Sequence, residues 1–489
     1  MDSSFLQRLF ETLKYHADSP MIFNSGFFLF FFLFTIFFYQ FFYNLKRAKF
    51  LFLTVLSIYF YYKSSGFYFF LIVVSSFIDY GAGLWMERLE KTWERKALMV
   101  VSVISNFAIL GYFKYTNFFF DTLNALHLSK FQPVDIFLPV GISFFTFQSL
   151  SYTIDVYRRE LKAERNFLDF LFFVSFFPQL VAGPIVRAAD FLPQLRKPTI
   201  VTKEDVGKAV FLIATGLFKK AVIADYISIN FVDRIFEWPT RYTGVENLLG
   251  LYGYALQIYC DFSGYSDMAI GLALLLGFKL RINFDSPYQS SSITEFWRRW
   301  HISLSSWLKD YLYITLGGNR KGKVRQYVNL MITMLLGGLW HGAAWKFVVW
   351  GGIHGFILAV EKFLNFPNWV KESKIKHIIG VIVTFHIVCL AWIFFRATSY
   401  QSAIDMINQI LFYFNGAVFF QFIEAYPAIV FLMIIGFLLH FAPKTWEVKT
   451  ERFVEKLPLV GKALVLVVVI WLVIQVKSSD IQPFIYFQF

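Results

Sequence analysis

Apolar runs of roughly bilayer length recur along almost the whole chain, and they set the first limit on what it can fold into. They lie near 22–43, 49–62, 67–86, 97–113, 136–157, 168–186, 207–230, 246–262, 264–280, 326–341, 344–363, 376–395, 427–442 and 459–476. A helix needs roughly 20 apolar residues to cross a bilayer. A chain of this kind has no polar linkers between soluble domains, and it reads as an all-α polytopic membrane protein with about a dozen spans. Of its 489 residues, 57% are hydrophobic and 16% charged, against about 25% charged in soluble domains. The run at the start, "MDSSFLQRLFETLKYHADSP", reads as an amphipathic lead-in and not as a cleavable signal.

The formal net charge is +13. In a soluble protein such an excess would raise nucleic-acid binding. Here it reads as cytoplasmic loops, which concentrate Lys and Arg. The basic connections are "NLKRAKF" (44–50), "ERLEKTWERK" (87–96), "YRRELKAER" (157–165), "LRKPTIVTKED" (195–205) and the stretch 295–325. Placing all of them in the cytoplasm works for the first four spans. It fails where only one apolar run separates "YRRELKAER" from "LRKPTIVTKED". That run contains "FFPQLVAGPIVR" (176–187), with two prolines and a glycine. A broken, re-entrant segment accounts for the fault, since irregular backbone at depth needs protein or a wet cavity around it. A miscounted span elsewhere accounts for it equally well. The two cysteines, Cys260 and Cys389, offer neither a disulfide framework nor a metal-ligand spacing.

The polar stretch "EFWRRWHISLSSWLKDYLYITLGGNRKG" (295–322) interrupts this pattern. Advancing 100° per residue puts Phe296, Trp297, Trp300, Leu304, Trp307, Leu308, Tyr311 and Leu312 on one face. Arg298, Arg299, Ser305, Ser306, Lys309 and Asp310 fall opposite. The spacing predicts an amphipathic helix with His301 on its apolar side. An interfacial anchor would look the same. The turn that follows carries Asn319, Arg320 and Lys321 and either meets an anionic ligand or stops translocation.

His341 stands at the end of an apolar run, beside Gly337, Gly338, Gly342, Ala343 and Ala344. Small residues let helices approach closely or leave room for a substrate. An ionisable group in a span usually faces a protein interior or a water path. His354 comes 13 residues later, roughly 220° around one continuous helix, and so is not expected on the His341 face. His386 and His440 read as structural. Upstream, "LQIYCDFSGYSDMAIG" (256–271) holds Gln257, Asp261, Ser263, Ser266 and Asp267. Its carboxylates either orient a histidine, pair with Arg298 or Arg299, or sit in a polar loop.

Five stretches carry a family resemblance: "PQLVAGPIVR", "YCDFSGYSDMAIGLALLLGF", "NFDSPYQSSSITEFWRRWH", "FWRRWHISLSSWLKDYLYITLGGNRKG" and "GGLWHGAAWKFVVWGGIHG". Together they resemble the membrane-bound O-acyltransferase family, nearest its bacterial alginate O-acetyltransferase branch, which is related to the D-alanyl transferases of teichoic acids. The resemblance runs to about residue 400 and is strongest in 136–363; the role of 400–489 is open. It implies a single membrane-embedded domain over 1–489, a ring of transmembrane and re-entrant helices around a central funnel, and a multi-pass protein of the bacterial cytoplasmic (inner) membrane. His341 would be the essential residue and His301 the second family-typical polar position. The implied donor is acetyl-CoA or an acyl carrier thioester, with no tightly bound cofactor and no metal. The implied acceptor is an exported polysaccharide such as alginate, or a periplasmic partner acetyltransferase. Asp261, Arg298, Arg299, Lys309, Asn319, Arg320 and Lys321 are weaker candidates for binding donor or substrate.

A neutral imidazole, with a reference pKa of about 6.5, suits a base that takes a hydroxyl proton. On that ground His341 is the expected general base. His301 would then hydrogen-bond the acyl carbonyl, orient a substrate, or assist proton transfer. A polysaccharide transporter or a scaffold subunit are the rival classes. Broken helices and a basic rim fit transport, but no internal repeat supports it.

Overall fold

A computed structural model describes residues 3–17, 19–181 and 183–476. Among them every regular element is helical, and none is a strand. Four helical stretches are long and apolar enough to cross a membrane: Lys46–Arg88, Thr92–Ala125, Lys374–Arg396 and Leu459–Val476. A fifth counts if Val418–Ala425 and Pro427–Phe441, bent by 96°, act as one. The other apolar runs fall on helices that are shorter, broken, or carry buried polar groups. Two compact units form, Met1–Thr202 with Leu272–Leu280 and Lys203–Gly271 with Arg281–Phe489.

In the first unit, helix α1 (Gly26–Phe42) starts where the Ser25 hydroxyl accepts from the Phe28 N–H. Its Phe30, Leu33, Phe37 and Phe41 are exposed, whereas Phe28, Phe31 and Phe32 are buried. The exposed side suits lipid. The stretch Lys46–Arg88 divides into α2 (Lys46–Ser65) and α3 (Phe69–Arg88) at Gly66. Gly66 has φ 61 and ψ −142, a region open essentially to glycine alone. Helices α3, α4 (Thr92–Leu110) and α5 (Ile142–Tyr157) are joined by buried polar groups. The Asp79 carboxylate accepts from Ser102 Oγ at 2.5 Å and from Asn106 Nδ2 at 3.0 Å. Ser102 Oγ also lies 3.1 Å from Thr153. Such bonds hold helices together where no hydrophobic effect acts between them.

The segment with two prolines is broken. Helix α6 (Phe167–Ser175) ends at Phe176, a single turn covers Phe177–Leu180, and Ala188–Arg196 resumes. Nine helical residues reach only about 13 Å, so α6 alone does not cross a bilayer. The interruption is buried.

In the second unit, α7 (Lys203–Leu217) packs Val210 and Phe211 against Val454. Lys208 pairs with Glu451 at 2.8 Å. Part of the chain beyond residue 400 therefore packs into this unit, with 477–489 outside the described residues. Helix α8 (Gly244–Leu275) has 32 residues, which excludes a polar loop at 256–271. After it come α9 (Ile293–Arg299), α10 (Ile302–Trp307), α11 (Lys323–His341), α12 (Trp345–Phe363), α13 (Lys374–Arg396), α14 (Pro427–Phe441) and α15 (Leu459–Val476). His440 on α14 accepts the Tyr288 N–H at 3.0 Å. His386 on α13 bonds Tyr252 Oη at 2.9 Å and the Ile382 carbonyl at 2.8 Å. Both are structural histidines, as the sequence suggests.

Candidate active site

The helix expected across 295–313 is not continuous. Helix α9 begins with the Ser292 hydroxyl accepting the Glu295 N–H at 3.1 Å. It also begins against the buried Glu361 carboxylate of α12, which accepts the N–H groups of Ile293 (2.5 Å) and Thr294 (3.0 Å). The chain then leaves the helix at Trp300, and His301 adopts φ 43, ψ 54. A left-handed residue other than glycine is uncommon and needs outside support. Asn283 supplies it. Its backbone carbonyl accepts the Ile302 N–H at 2.9 Å, and its Oδ1 accepts the Ser303 N–H at 3.1 Å. A π-helical turn over Leu308–Tyr313 adds a second break. The division of faces nonetheless holds. Phe296, Trp300, His301, Leu304, Trp307, Leu308 and Tyr311 are buried, while Arg298 and Lys309 are exposed.

His341 is the last residue of α11, and the chain turns through Gly342–Ala344 into α12. The two helices pack backbone to backbone. A Cβ placed on Gly338 would meet the Phe347 carbonyl, and one on Gly351 the Met334 carbonyl. The small residues near His341 thus serve close approach. The buried His341 ring lies edge-on to Trp340 and Trp350, each 5.0 Å away between centroids, and 5.4 Å from Phe395. The His301 ring is 6.3 Å from it. His301 is fully enclosed, with Phe262 at 4.6 Å and Trp340 at 6.0 Å. Burial pushes the His301 imidazole well below its usual pKa, because the charged form loses water.

His354 joins this centre, contrary to the single-helix expectation. The break at Gly342–Ala344 reorients α12, and Trp350 sits between the two histidines, 5.0 Å from His341 and 4.9 Å from His354. Trp297, Trp300 and Trp392 extend the cluster. Three indole N–H groups here, on Trp297, Trp300 and Trp350, are buried with no hydrogen-bond partner among the described residues, as are both His354 nitrogens. Most buried polar atoms in proteins are paired. Two buried imidazoles at 6.3 Å thus share one enclosed cluster with indole donors.

The model of the membrane-bound O-acyltransferase family matches residues 67–403. The chain belongs to that family. Membrane-bound O-acyltransferases transfer acyl groups to hydroxyls, and this chain is a multi-pass membrane O-acyltransferase. It is 40% identical over 422 residues to the probable alginate O-acetylase AlgI of Pseudomonas putida, covering 82% of this chain and 85% of that protein. It is 36% identical over 384 residues to the peptidoglycan O-acetyltransferase of Helicobacter pylori, covering 73% of each. The teichoic acid D-alanyltransferase of Bacillus subtilis is 28% identical over 277 residues, 54% of this chain and 69% of that protein.

In this acyltransferase the other sequence candidates fall elsewhere. Asp261 pairs with Lys220 at 2.5 Å, and Asp267 with Lys219 at 2.7 Å. Arg299 bonds Glu295 at 2.8 Å. Lys220 also pairs with Asp225 at 2.6 Å, in a π-helical turn over Phe218–Ala224. Asp261 precedes Phe262, whose ring lies 4.6 Å from that of His301. Lys309, Asn319, Arg320 and Lys321 are exposed. The sequence reading missed Asn283, Glu361, Lys220 and His354. His354, in "GGIHG", and Asn283, the first residue of "NFDSPYQSSSITEFWRRWH", lay within the stretches that carry the family resemblance.

Proposed function

We propose that this acyltransferase moves an acetyl group from a cytoplasmic thioester, acetyl-CoA or an acylated carrier protein, across the bacterial cytoplasmic membrane. The acceptor is a hydroxyl of an exported polysaccharide such as alginate, or a group on a partner acetyltransferase at the far side. The observation that carries this reading is the buried pair His341 and His301, 6.3 Å apart. The relatives named for alginate and peptidoglycan O-acetylation support a polysaccharide acceptor.

In this reading His341 is the general base. It takes the proton of the acceptor hydroxyl as the oxygen bonds the acyl carbon. The C–S bond breaks, and the thiolate leaves with the proton that the imidazolium returns. A positioned base contributes about 10²–10⁴-fold. The exposed Lys309, Arg320 and Lys321 supply positive charge for a phosphate-bearing donor, with Asn319 beside them.

The test is thioester turnover by the purified protein in lipid nanodiscs with labelled acetyl-CoA. It is run with and without alginate oligosaccharide, and again with a loaded carrier protein as donor. His341→Ala is expected to abolish turnover, and the acceptor that raises the wild-type rate identifies the substrate class. Full activity in both His341→Ala and His301→Ala would refute the assignment.

A further inference from the structure

Asn283 makes an arrangement around His301 that calls for a proton on Nδ1. Its Oδ1 lies 3.1 Å from the Ser303 backbone nitrogen. A backbone N–H can only donate, so the amide atom facing it is the oxygen. The amide nitrogen accordingly faces Ser266 Oγ, 3.2 Å away. The same Oδ1 takes the Ser303 hydroxyl at 2.9 Å and stands 3.2 Å from His301 Nδ1. An amide oxygen has no proton to give. For Nδ1 to bond it, Nδ1 must carry the hydrogen. Ser303 Oγ, 3.4 Å from Nδ1, directs its own hydrogen to Asn283 and so fits the same pattern. In neutral imidazole one nitrogen bears the proton and the other a lone pair.

We infer that Asn283 is a positioning residue that locks His301 as the Nδ1–H tautomer, so that His301 enters the reaction only through the Nε2 lone pair. This rests on the acyltransfer reading above and narrows it. A neutral His301 then accepts a hydrogen bond or a proton, from the acceptor hydroxyl or from His341. It does not donate to the acyl carbonyl. The donors left for that carbonyl are the buried indole N–H groups around the two histidines. The same Asn283 holds the left-handed turn at His301 through Ile302 and Ser303. One residue therefore fixes both where the ring stands and which nitrogen is bare. The titratable ring of His341 packs beside His301, and Phe262, Phe284 and Trp340 lie against it as well.

Two measurements test this. Solid-state NMR of the full protein in lipid, labelled with ¹⁵N-histidine, reads each ring nitrogen directly. The His301 signals are those lost in His301→Gln. A protonated Nδ1 with a bare Nε2 is expected; an Nε2–H form or an even mixture would overturn the inference. This readout needs no turnover, so it stands even if the proposed donor and acceptor prove wrong. Second, Asn283→Asp keeps the accepting oxygen and adds a charge, which favours the imidazolium. An opposite charge at this range shifts a pKa by about 1–3 units. The acid limb of kcat/KM should therefore move upward by about that much. If Asn283→Asp is active with an unmoved profile, Asn283 serves only to cap α10.

Discussion

Glu361 holds Thr294 at two points: its carboxylate accepts the Thr294 backbone N–H at 3.0 Å and the hydroxyl at 2.9 Å. The bond reaches from α12, which carries Trp350 and His354, to the first turn of α9, which leads into His301. Glu361 is buried, so its loss leaves donors without water to replace it. Each buried donor left unsatisfied costs about 1–3 kcal/mol. Glu361→Ala should lower the thermal midpoint in detergent and reduce turnover together. Glu361→Gln, which keeps one accepting oxygen, should fall between.

The glycines joining α11 and α12 make a steric prediction. A Cβ at Gly338 falls on the Phe347 carbonyl, whereas one at Gly352 makes only ordinary contact with Leu335. Gly338→Val should therefore cost about 3 kcal/mol, the upper end for an overpacked core. Gly352→Ala should be tolerated. Size-exclusion profiles after heating would separate the two.

Lys220 bonds two carboxylates, Asp225 and Asp261, while almost wholly buried itself. Removing one partner of a buried ion pair costs about 3–5 kcal/mol, because the remaining charge has lost its solvent and its counter-ion. Lys220→Met should yield little folded protein. Adding Asp261→Asn to that variant should recover part of the yield, a non-additivity that a double-mutant cycle would measure.

The pH dependence follows from the burial of His301. Its pKa is lowered in the folded protein, so the unfolded chain binds the proton first as pH falls below about 6.5. Stability attributable to this residue is present above that value and is lost as pH falls toward the folded pKa. The midpoint of thermal unfolding should decline with acidification, and His301→Gln should flatten that slope.

Much of the centre was legible in the sequence because hydrophobicity marks burial whatever the backbone does. The wheel drawn from Phe296 placed Trp300, His301, Leu304 and Leu308 on the inner face, and they are inside. It missed the kink, because the left-handed turn at His301 depends on Asn283, 18 positions upstream, and no local periodicity encodes a distant acceptor. Similarly, Asp261 and Asp267 declared a need for cations, and the chain meets it with Lys220 and Lys219 on another helical segment. His354 was misplaced by treating two helices as one. Their separation at Gly342 turns an unfavourable angle into adjacency through Trp350.

The backbone contact at Gly338 and Gly351 has one more effect. Side chains rotate and lipids compress, but two main chains in van der Waals contact behave like the closed jaws of a caliper. His341 and Trp350 sit on those jaws, 5.0 Å apart between ring centroids, so their spacing is a gauge length set by main-chain contact. That separation then holds whatever the side chains around the pair do.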